Sequence, residues 1–375
     1  MRGSKPRASR EEHLPRPRSL AALRDEIDRI DDKLLALLNE RAQVAVEVGE
    51  LKAKSGGVVY RPEREKDIYR RLDKANRGPL DAESTRAIFR EVIAACLSLE
   101  EPLRIACLGP LGTYSHRALR DQFGSRALPV PVDSIGAVFD EVEQRRAVYG
   151  VVPVENSIEG VVAASLDRFV DSALTIKAEI LLRIDQCLMS KSGRADRVKR
   201  IVSHAQSLGQ CRQWLARNLP GVPQAEVLSN ARAAEIARED PSAAAIAGRN
   251  AAERYNLKLI AANIQDHVSN YTRFFVVGRD PVAPPSGDDK TSLLVSVSHE
   301  AGALYRLLRP FADHGVSLCS IESRPLKGRP WEYLFFLDLF GHVDDANVTK
   351  ALAAVQRRSL SVKVLGSYPA ALAPA

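Results

Sequence analysis

The chain has 375 residues, of which 45% are hydrophobic and 27% charged, and its formal net charge is +7. That length accommodates two or three domains with cores of their own, and the composition is that of an ordinary globular protein. No apolar run reaches the roughly 18 residues of a membrane-spanning helix, so we predict no membrane partner.

Much of the positive charge lies in residues 1–19, which carry six Lys or Arg against two Glu. This segment has three Pro and lacks the apolar middle of a signal peptide, so it is predicted to be a disordered basic tail. The tail supplies +4 of the +7, and the small remainder does not indicate a nucleic-acid partner. The five cysteines are scattered without CxxC spacing, which is typical of reduced thiols in a cytoplasmic protein.

The first predicted element is a helix over residues 20–54, because apolar residues recur there at alternating steps of three and four. This narrow stripe consists of Leu20, Leu23, Ile27, Ile30, Leu34, Leu37, Val44, Val48 and Leu51. Such a helix would be roughly 50 Å long and cannot bury its stripe alone. We therefore expect it to pack along its copy in a second subunit, as a homodimer or a larger homo-oligomer.

Three cationic residues on this helix are candidates for a binding pocket. Arg41 interrupts the apolar stripe, and Lys52, eleven residues later, returns to nearly the same face. Arg24 lies about a quarter turn away from Arg41, so it suits a pocket of the partner subunit better than one on its own helix. The alternative is that Arg41 snorkels from the stripe while Lys52 and Arg24 are simply solvated.

Two shorter helices follow, so residues 20–101 are predicted to form an all-helical domain. Pro62 opens the second helix, which runs to about Asn76, because Pro is favoured in the first turn of a helix. Asp81 caps the third helix, which ends at Glu101 and Pro102.

The run LRDEIDRIDDKLLALLNERAQVAVEVGELK (residues 23–52), followed by YRPERE (residues 60–65), resembles the all-helical chorismate mutase family. The resemblance implies an intertwined helical dimer that rearranges chorismate to prephenate without a cofactor. It also implies that Arg24 reaches into the partner's site, that Arg41 binds a carboxylate and that Lys52 donates to the ether oxygen.

By the same resemblance Arg64 and Glu65 complete the pocket, with Arg61 near it through its backbone. Two positions depart from the commoner family pattern: Cys96 stands where many members have Ser or Thr, and Glu100 where many have Gln. A glutamate donates a hydrogen bond only when protonated, so mutase activity is expected to fall as pH rises unless burial keeps Glu100 neutral. Identical pH profiles of Glu100→Gln and the wild type would contradict this hypothesis.

From residue 104 to 280, short β-like runs alternate with Ala-rich helical segments, which predicts an α/β domain with mainly parallel strands. Its size suits two small lobes with a ligand cleft between them. The predicted strands are Arg104–Leu108, Val151–Val154, Thr175–Ile180, Arg200–Ser203, Ala243–Ile246 and Phe274–Val277.

Four polar motifs lie at the ends of these strands, where open α/β sheets bind ligands. They are GPLGTYSH (109–116), VVPVENSIEG (151–160), SHAQSLGQC (203–211) and NYTRF (270–274). Taken singly, the first is equally well explained as a plain strand-to-helix turn, and each of the others is more often a cap or a loop. The first is not a dinucleotide-binding fingerprint, because the third glycine is missing.

In this order the four motifs resemble prephenate dehydratase, which converts prephenate to phenylpyruvate with loss of CO2 and water and needs no metal or cofactor. The resemblance makes Thr272 the essential residue near the leaving hydroxyl, with Arg273 beside it. The cleft would be lined by Glu155, Asn156, Ser157, Ser203, His204 and Gln206. His204 is equally well explained as a general acid or as a helix cap.

Residues 281–290 are predicted to be a linker, and residues 291–368 a ferredoxin-like βαββαβ domain. Its elements are predicted at Ser292–Ser298, Ala303–Asp313, Ser317–Ser323, Tyr333–Leu339, Ala346–Arg357 and Val362–Leu365. Two segments resemble the effector signatures of ACT domains: Gly302, Ala303 and Leu304, and Glu322, Ser323, Arg324 and Pro325, followed by Trp331 and Glu332. A purely structural module is the alternative. The expected effector is phenylalanine, bound between two ACT domains.

The fold class is therefore multidomain: an all-α mutase as an intertwined dimer, a two-lobed α/β dehydratase similar to periplasmic binding proteins, and an α+β ACT domain. The three resemblances together imply a bifunctional chorismate mutase/prephenate dehydratase of phenylalanine biosynthesis, inhibited by phenylalanine. Two alternatives stay open. One is a non-catalytic ligand sensor, and the other is a mutase whose dehydratase has decayed.

Overall fold

The computed structural model describes residues 19–55, 58, 60–100, 103–267, 269–325 and 333–371. The predicted tail, apart from its last residue, lies outside them, as do Trp331 and Glu332. The N-terminal domain has three helices: α1 (Leu20–Ser55), α2 (Pro62–Ala75) and α3 (Ala82–Glu100). Asp81 caps α3, since its carboxylate accepts from the Ser84 N–H at 2.6 Å. In the part of the chain so described, no helix has the length and apolarity needed to cross a membrane.

The next region forms two α/β lobes. The first lobe has strands β1 (Arg104–Leu108), β2 (Leu128–Val132), β3 (Tyr149–Asn156), β4 (Gly160–Val161), β5 (Thr175–Arg183) and β11 (Tyr271–Gly278), with helices α4 (Tyr114–Phe123), α5 (Ile135–Glu143) and α6 (Ala163–Asp171). The second has β6 (Cys187–Ser190), β7 (Arg200–Ser203), β8 (Gln224–Glu226), β9 (Ala243–Ala247) and β10 (Lys258–Ala261), with α7 (Ala205–Gln210), α8 (Arg212–Asn218), α9 (Asn230–Glu239), α10 (Arg249–Tyr255) and the 3₁₀ turn Ala195–Arg197.

The prediction of mainly parallel strands is wrong, because both sheets are mixed. The first sheet has the order β2-β1-β3-β11-β5, with β4 beside β3, and the second has the order β10-β6-β9-β7-β8. The chain leaves the first lobe at the end of β5 and comes back at the start of β11. The returning strand enters from the cleft side, where β3 and β5 end, so it runs antiparallel to both.

The C-terminal domain has the predicted βαββαβ order. Its elements are β12 (Asp289–Val297), α11 (Ala303–Asp313), β13 (Leu318–Pro325), β14 (Tyr333–Phe340), α12 (Ala346–Gln356) and β15 (Ser361–Pro369), and its sheet has the order β13-β14-β12-β15. One face of the sheet packs under α11 and α12. The other face shares a hydrophobic core with the first lobe, in which Tyr368 and Phe336 pack with Phe275 and Phe169.

The helical domain also docks on the rest of the chain. Tyr60 is only 2% exposed, its ring lies 4.8 Å from that of Phe123, and its hydroxyl accepts from Gln122 at 2.6 Å. Lys66 on α2 donates to the Asp288 carboxylate at 2.7 Å. The predicted linker 281–290 is thus held by α2, and its last two residues already belong to β12.

Candidate active sites and effector surface

A cavity of about 420 Å³ lies between α1, α2 and α3, within the range of small-ligand pockets. Seven of the eight residues predicted for the mutase pocket line it: Arg41, Lys52, Arg61, Arg64, Glu65, Cys96 and Glu100. Its apolar wall includes Val44, Val48, Ile68 and Ile93. The eighth residue, Arg24, is exposed on α1, about 25 Å along the helix from Arg41.

Two polar contacts join α1 to α3 at this cavity. Lys52 Nζ lies 3.1 Å from Glu100 Oε2, in an ion pair whose side chains are 23% and 7% exposed. Arg41 Nη1 donates to Cys96 Sγ at 2.8 Å. A guanidinium has five N–H donors, so Arg41 can bind a ligand while its bond to Cys96 fixes its position, and the ion pair with Glu100 fixes the position of Lys52.

Glu65 has the most strongly perturbed acidity in the pocket. Burial and then the neighbouring Glu63 carboxylate raise the pKa of Glu65 to about 8. A neutral carboxylic acid donates a hydrogen bond instead of repelling an anion. Near pH 7 the neutral Glu65 therefore does not offset the four cationic side chains of the cavity, which include Arg41 and Arg64. Such a pocket suits a small molecule with two negative charges.

A second cavity, of about 380 Å³, lies in the cleft between the two α/β lobes. Of the residues predicted for the cleft, Asn156, His204, Gln206 and Thr272 line it. Other lining residues were not predicted: Thr113, Tyr114, Gln186, Ser207, Gln210 and Asn230. The first two lie in the GPLGTYSH motif, which is a signal for them. Gln186 lies in the crossover between the lobes, for which the sequence offers no signal.

An asparagine–threonine pair forms the centre of this cleft. Asn156 Nδ2 donates to Thr272 Oγ1 at 2.9 Å. Asn156 Oδ1 accepts from the backbone N–H groups of Ile158 and Glu159, at 3.0 Å each, which fixes the orientation of the amide. Because the Thr272 oxygen accepts a hydrogen bond from Asn156, its own proton is free to be donated to a ligand.

His204 lies in the cleft as a helix cap. Its Nδ1 accepts from the Gln206 N–H at 3.3 Å at the start of α7, which is the capping role left open above. Two predicted lining residues are corrected. Ser203 is fully buried and donates to the Ile246 carbonyl at 2.7 Å, and Ser157 accepts from the Tyr271 N–H at 2.9 Å, so neither lines the cavity.

Glu155 and Arg273 are also corrected, because both face away from the cleft. Side chains alternate along a strand, and the β3–β11 register pairs Thr272 with Asn156 and Arg273 with Glu155. When the first pair faces the cleft, the second faces the C-terminal sheet. Arg273 Nε lies 2.6 Å from Glu179 Oε1, and its Nη1 contacts Asp338 of β14.

The predicted effector segments occupy one helix start and one edge strand of the C-terminal domain. Gly302, with φ of +79°, precedes α11, and Leu304 is 39% exposed. On β13, Ser323 is exposed, whereas Arg324 Nη2 lies 2.9 Å from Asp167 of α6. Glu322 faces the same side of the strand as Arg324 and lines a small cavity against the first lobe. The signature therefore contacts both solvent and the two-lobed domain.

Cavities lined by charged or polar side chains in two successive domains, followed by a βαββαβ domain, define a modular enzyme with a regulatory domain. Family models match in this order: "Chorismate mutase type II" over residues 23–101, "Prephenate dehydratase" over residues 105–282 and "ACT domain" over residues 291–357. The chain is 47% identical over 357 residues to a bifunctional chorismate mutase/prephenate dehydratase of Aquifex aeolicus, covering 94% of this chain and 98% of that protein. It belongs to the family of bifunctional chorismate mutase/prephenate dehydratases.

A second curated relative agrees in extent, and two solved structures match a shorter part of the chain. The enzyme of the same name from Neisseria gonorrhoeae is 47% identical, with coverage of 93% of this chain and 96% of that protein. Among solved structures, the prephenate dehydratase of Arthrobacter aurescens in complex with L-Phe has a TM-score of 0.66 at 34% identity, covering 71% of this chain and 90% of that one. A quorum-quenching acylase, GqqA, has a TM-score of 0.67 at 29% identity, with coverage of 71% and 98%. The predicted three-part fold is confirmed.

Proposed function

We propose that the protein rearranges chorismate to prephenate in its helical domain and converts prephenate to phenylpyruvate in its two-lobed domain. Phenylalanine, the amino acid made from phenylpyruvate, is the proposed effector at the ACT domain. The observation that carries the proposal is that one family covers nearly the whole chain while each catalytic domain has its own polar cavity.

The mutase reaction breaks a C–O bond and forms a C–C bond within one molecule, so it needs neither a nucleophile nor a cofactor. Arg41 and Arg64 are proposed to bind the two carboxylates of chorismate, since guanidinium groups pair with carboxylates at two points. Lys52, held by Glu100, donates to the ether oxygen on which negative charge develops. Neutral Glu65 adds a donor. The rate enhancement comes from holding chorismate in a reactive conformation and stabilising this charge.

The site is proposed to be shared between two subunits. The apolar stripe of α1 is exposed along the chain, with Leu20 at 65%, Ile27 at 56% and Leu34 at 51% exposure. An exposed stripe of this length is characteristic of an interaction surface, and its heptad-like spacing fits a second copy of α1. In that arrangement Arg24 enters the pocket of the partner subunit. It cannot reach the pocket of its own chain, because it lies about 25 Å along α1 from Arg41.

In the dehydratase reaction the C1 carboxylate of prephenate leaves as CO2, and the electron pair of the broken C–C bond makes the ring aromatic. The C4 hydroxyl leaves as water, so it must gain one proton. Thr272 is proposed to donate to that hydroxyl, because Asn156 satisfies the threonine oxygen and leaves its proton free. The proton is replaced from water, and no metal or cofactor takes part.

The effector proposal is supported by the Arthrobacter relative, whose structure was determined with L-Phe. Phenylalanine is proposed to bind between two ACT domains through the segments 302–304 and 322–325. A cytoplasmic location is proposed on the free cysteines, of which Cys96, Cys107, Cys187 and Cys211 are buried and Cys319 is exposed.

Thr272→Ala tests the assignment of the two reactions to two domains. It is expected to abolish phenylpyruvate formation from prephenate while the conversion of chorismate to prephenate continues at the wild-type rate. Thr349→Ala, at an exposed position of α12, is the control for loss of a threonine hydroxyl. Unchanged dehydration by Thr272→Ala would refute the role of this residue. Wild-type protein inactive on prephenate would favour a decayed dehydratase, and a chain inactive on both substrates would favour a ligand sensor.

A further inference from the structure

The face of β11 opposite the cleft carries a buried polar cluster that joins the first lobe to the ACT sheet. This interface cluster consists of Glu179 and Arg273 from the lobe and Lys290, Ser292, Asp338 and Tyr368 from the ACT domain. Neither proposed reaction uses it. Its central residue, Arg273, directly follows Thr272 in the chain.

The contacts of Arg273 run to both domains. Its Nε bonds Glu179 Oε1 at 2.6 Å within the lobe, while its Nη1 and Nη2 bond Asp338 Oδ2 and the Tyr368 hydroxyl across the interface, the latter at 3.3 Å. The guanidinium lies 4.6 Å from the ring centre of Phe275. The arginine side chain is 13% exposed, so these contacts are largely shielded from water.

The remaining members of the cluster bond to the partners of Arg273. Lys290 Nζ lies 2.9 Å from Glu179 Oε1, and the Ser292 hydroxyl donates to Asp338 Oδ1 and contacts the Tyr368 hydroxyl. The charges balance, with two cations and two carboxylates. Burial acts to raise the pKa of Glu179, but Arg273 and Lys290 outweigh it, so the pKa lies below its usual value.

Because its members are paired across the interface, this cluster should make strand β11 move together with the ACT sheet. Moving the ACT sheet away from the lobe would leave Arg273 or Asp338 buried without its partner, which is costly in a low-dielectric interior. Moving both together would shift β11 and with it the Thr272–Asn156 pair on the other face. The effector signature lies at the same interface, since Glu322 and Glu155 line one small cavity there with Arg273.

We propose that Arg273 is a positioning residue that ties Thr272 to the ACT sheet, and that the effector changes dehydration through this tie. The inference rests on the proposed function. The effector must bind the two arrangements of the ACT domain with unequal affinity, and the cluster converts that difference into a displacement of the catalytic strand. Arg273 itself does not touch the substrate.

Asp338→Asn in the full chain is the main test. It keeps the shape of the side chain and removes the negative charge with which Arg273 pairs across the interface. The expected results are a dehydratase kcat about tenfold lower, an unchanged KM for prephenate and a phenylalanine concentration for half-inhibition about tenfold higher, a size typical of coupled sites. Mutase activity should stay unchanged. Tyr368→Phe, a milder change in the same cluster, should move both dehydratase values in the same direction.

The matched control is Lys363→Gln. Lys363 also joins the ACT sheet to the lobe, through the carbonyls of Phe169 at 2.8 Å and Ser172 at 2.6 Å, but not to β11. It should keep the wild-type kcat and phenylalanine response. If Asp338→Asn and Tyr368→Phe also keep both, or if Lys363→Gln changes them equally, the cluster is merely structural and the inference fails.

Amide hydrogen exchange separates this inference from the proposed function, because it requires no turnover. At the phenylalanine concentration that half-inhibits the wild type, phenylalanine should change the exchange of residues 271–278 in the wild type and in Lys363→Gln, and much less in Asp338→Asn. The same response in all three proteins, or none in the wild type, would overturn the inference. A wild type that fails to convert prephenate but shows the expected exchange pattern would refute the proposed function alone.

Discussion

Asn156→Asp should separate the folding role of this side chain from its role in dehydration. The aspartate can still accept from the N–H groups of Ile158 and Glu159, so the turn after β3 is retained. It cannot donate to Thr272, and it also loses the donation of Asn156 Nδ2 to Asn270 Oδ1 at 2.9 Å and to the Tyr271 carbonyl at 3.2 Å. Instead the Thr272 hydroxyl would donate to the new carboxylate, and its proton would no longer be available to the leaving hydroxyl of prephenate.

The size of the effect on kcat is worked out from the hydrogen bond between Asn156 and Thr272, because the bonds to Asn270 and Tyr271 bear on folding and are checked by the thermal melt. The Asn156–Thr272 distance is 2.9 Å, and Thr272 packs in a cleft where bonds are only partly shielded. A hydrogen bond to a charged group contributes about 1.5–3 kcal/mol. Redirecting the Thr272 proton to a carboxylate should therefore reduce kcat by roughly 10- to 150-fold, at about 1.4 kcal/mol for each factor of ten.

The assay is the formation of phenylpyruvate from prephenate at saturating substrate, with the mutase rate of the same sample as an internal standard. Asn218→Asp, on the exposed face of α8, adds the same charge to the same domain outside the cleft and should retain full activity. A thermal melt checks the fold of both variants. A folded Asn156→Asp protein with kcat within about twofold of the wild type would refute the proton-donor reasoning.

Three further predictions concern the helical domain. Glu65 has a pKa of about 8 against a usual 4.5, so it is neutral near pH 7 and its contribution to folding stability declines as pH rises between these values. The KM for chorismate should therefore rise from pH 7 to 9 in the wild type but not in Glu65→Gln, and parallel profiles would contradict this. Arg24→Ala and Arg41→Ala should each lack mutase activity, whereas random re-assembly of the two should restore about a quarter of the sites, because one pocket of each mixed dimer is intact. A re-assembled mixture without mutase activity would exclude a site shared between subunits. Tyr60→Ala should lower the free energy of unfolding by about 3 kcal/mol in urea titrations, since it empties an aromatic site between domains, and a loss below about 1 kcal/mol would show that the docking is weak.

Local rules in the sequence predicted the helical parts and the ACT domain closely. Pro62 and Asp81 start helices where the rules for helix starts predict, and the strand Arg104–Leu108 agrees with the structure residue by residue. These features depend on neighbours in the chain. The direction of β11 does not, because it depends on where the chain returns from the second lobe.

The site was predicted less completely, for reasons that lie in three-dimensional packing. The motif NYTRF pointed to Thr272, but only the strand register shows that Arg273 faces the ACT sheet. The raised pKa of Glu65 depends on burial and on Glu63, which the spacing of charges does not reveal. Gln186 joins the cleft because both lobes meet there, and no local pattern marks it.

Whether one chain carries out both reactions is decided by a time course of the products that the purified full chain forms from chorismate. Prephenate should appear first and then be replaced by phenylpyruvate, with phenylalanine slowing the second step. Chorismate that remains unchanged, or prephenate that accumulates without any phenylpyruvate, would contradict the claim that one chain carries out both reactions.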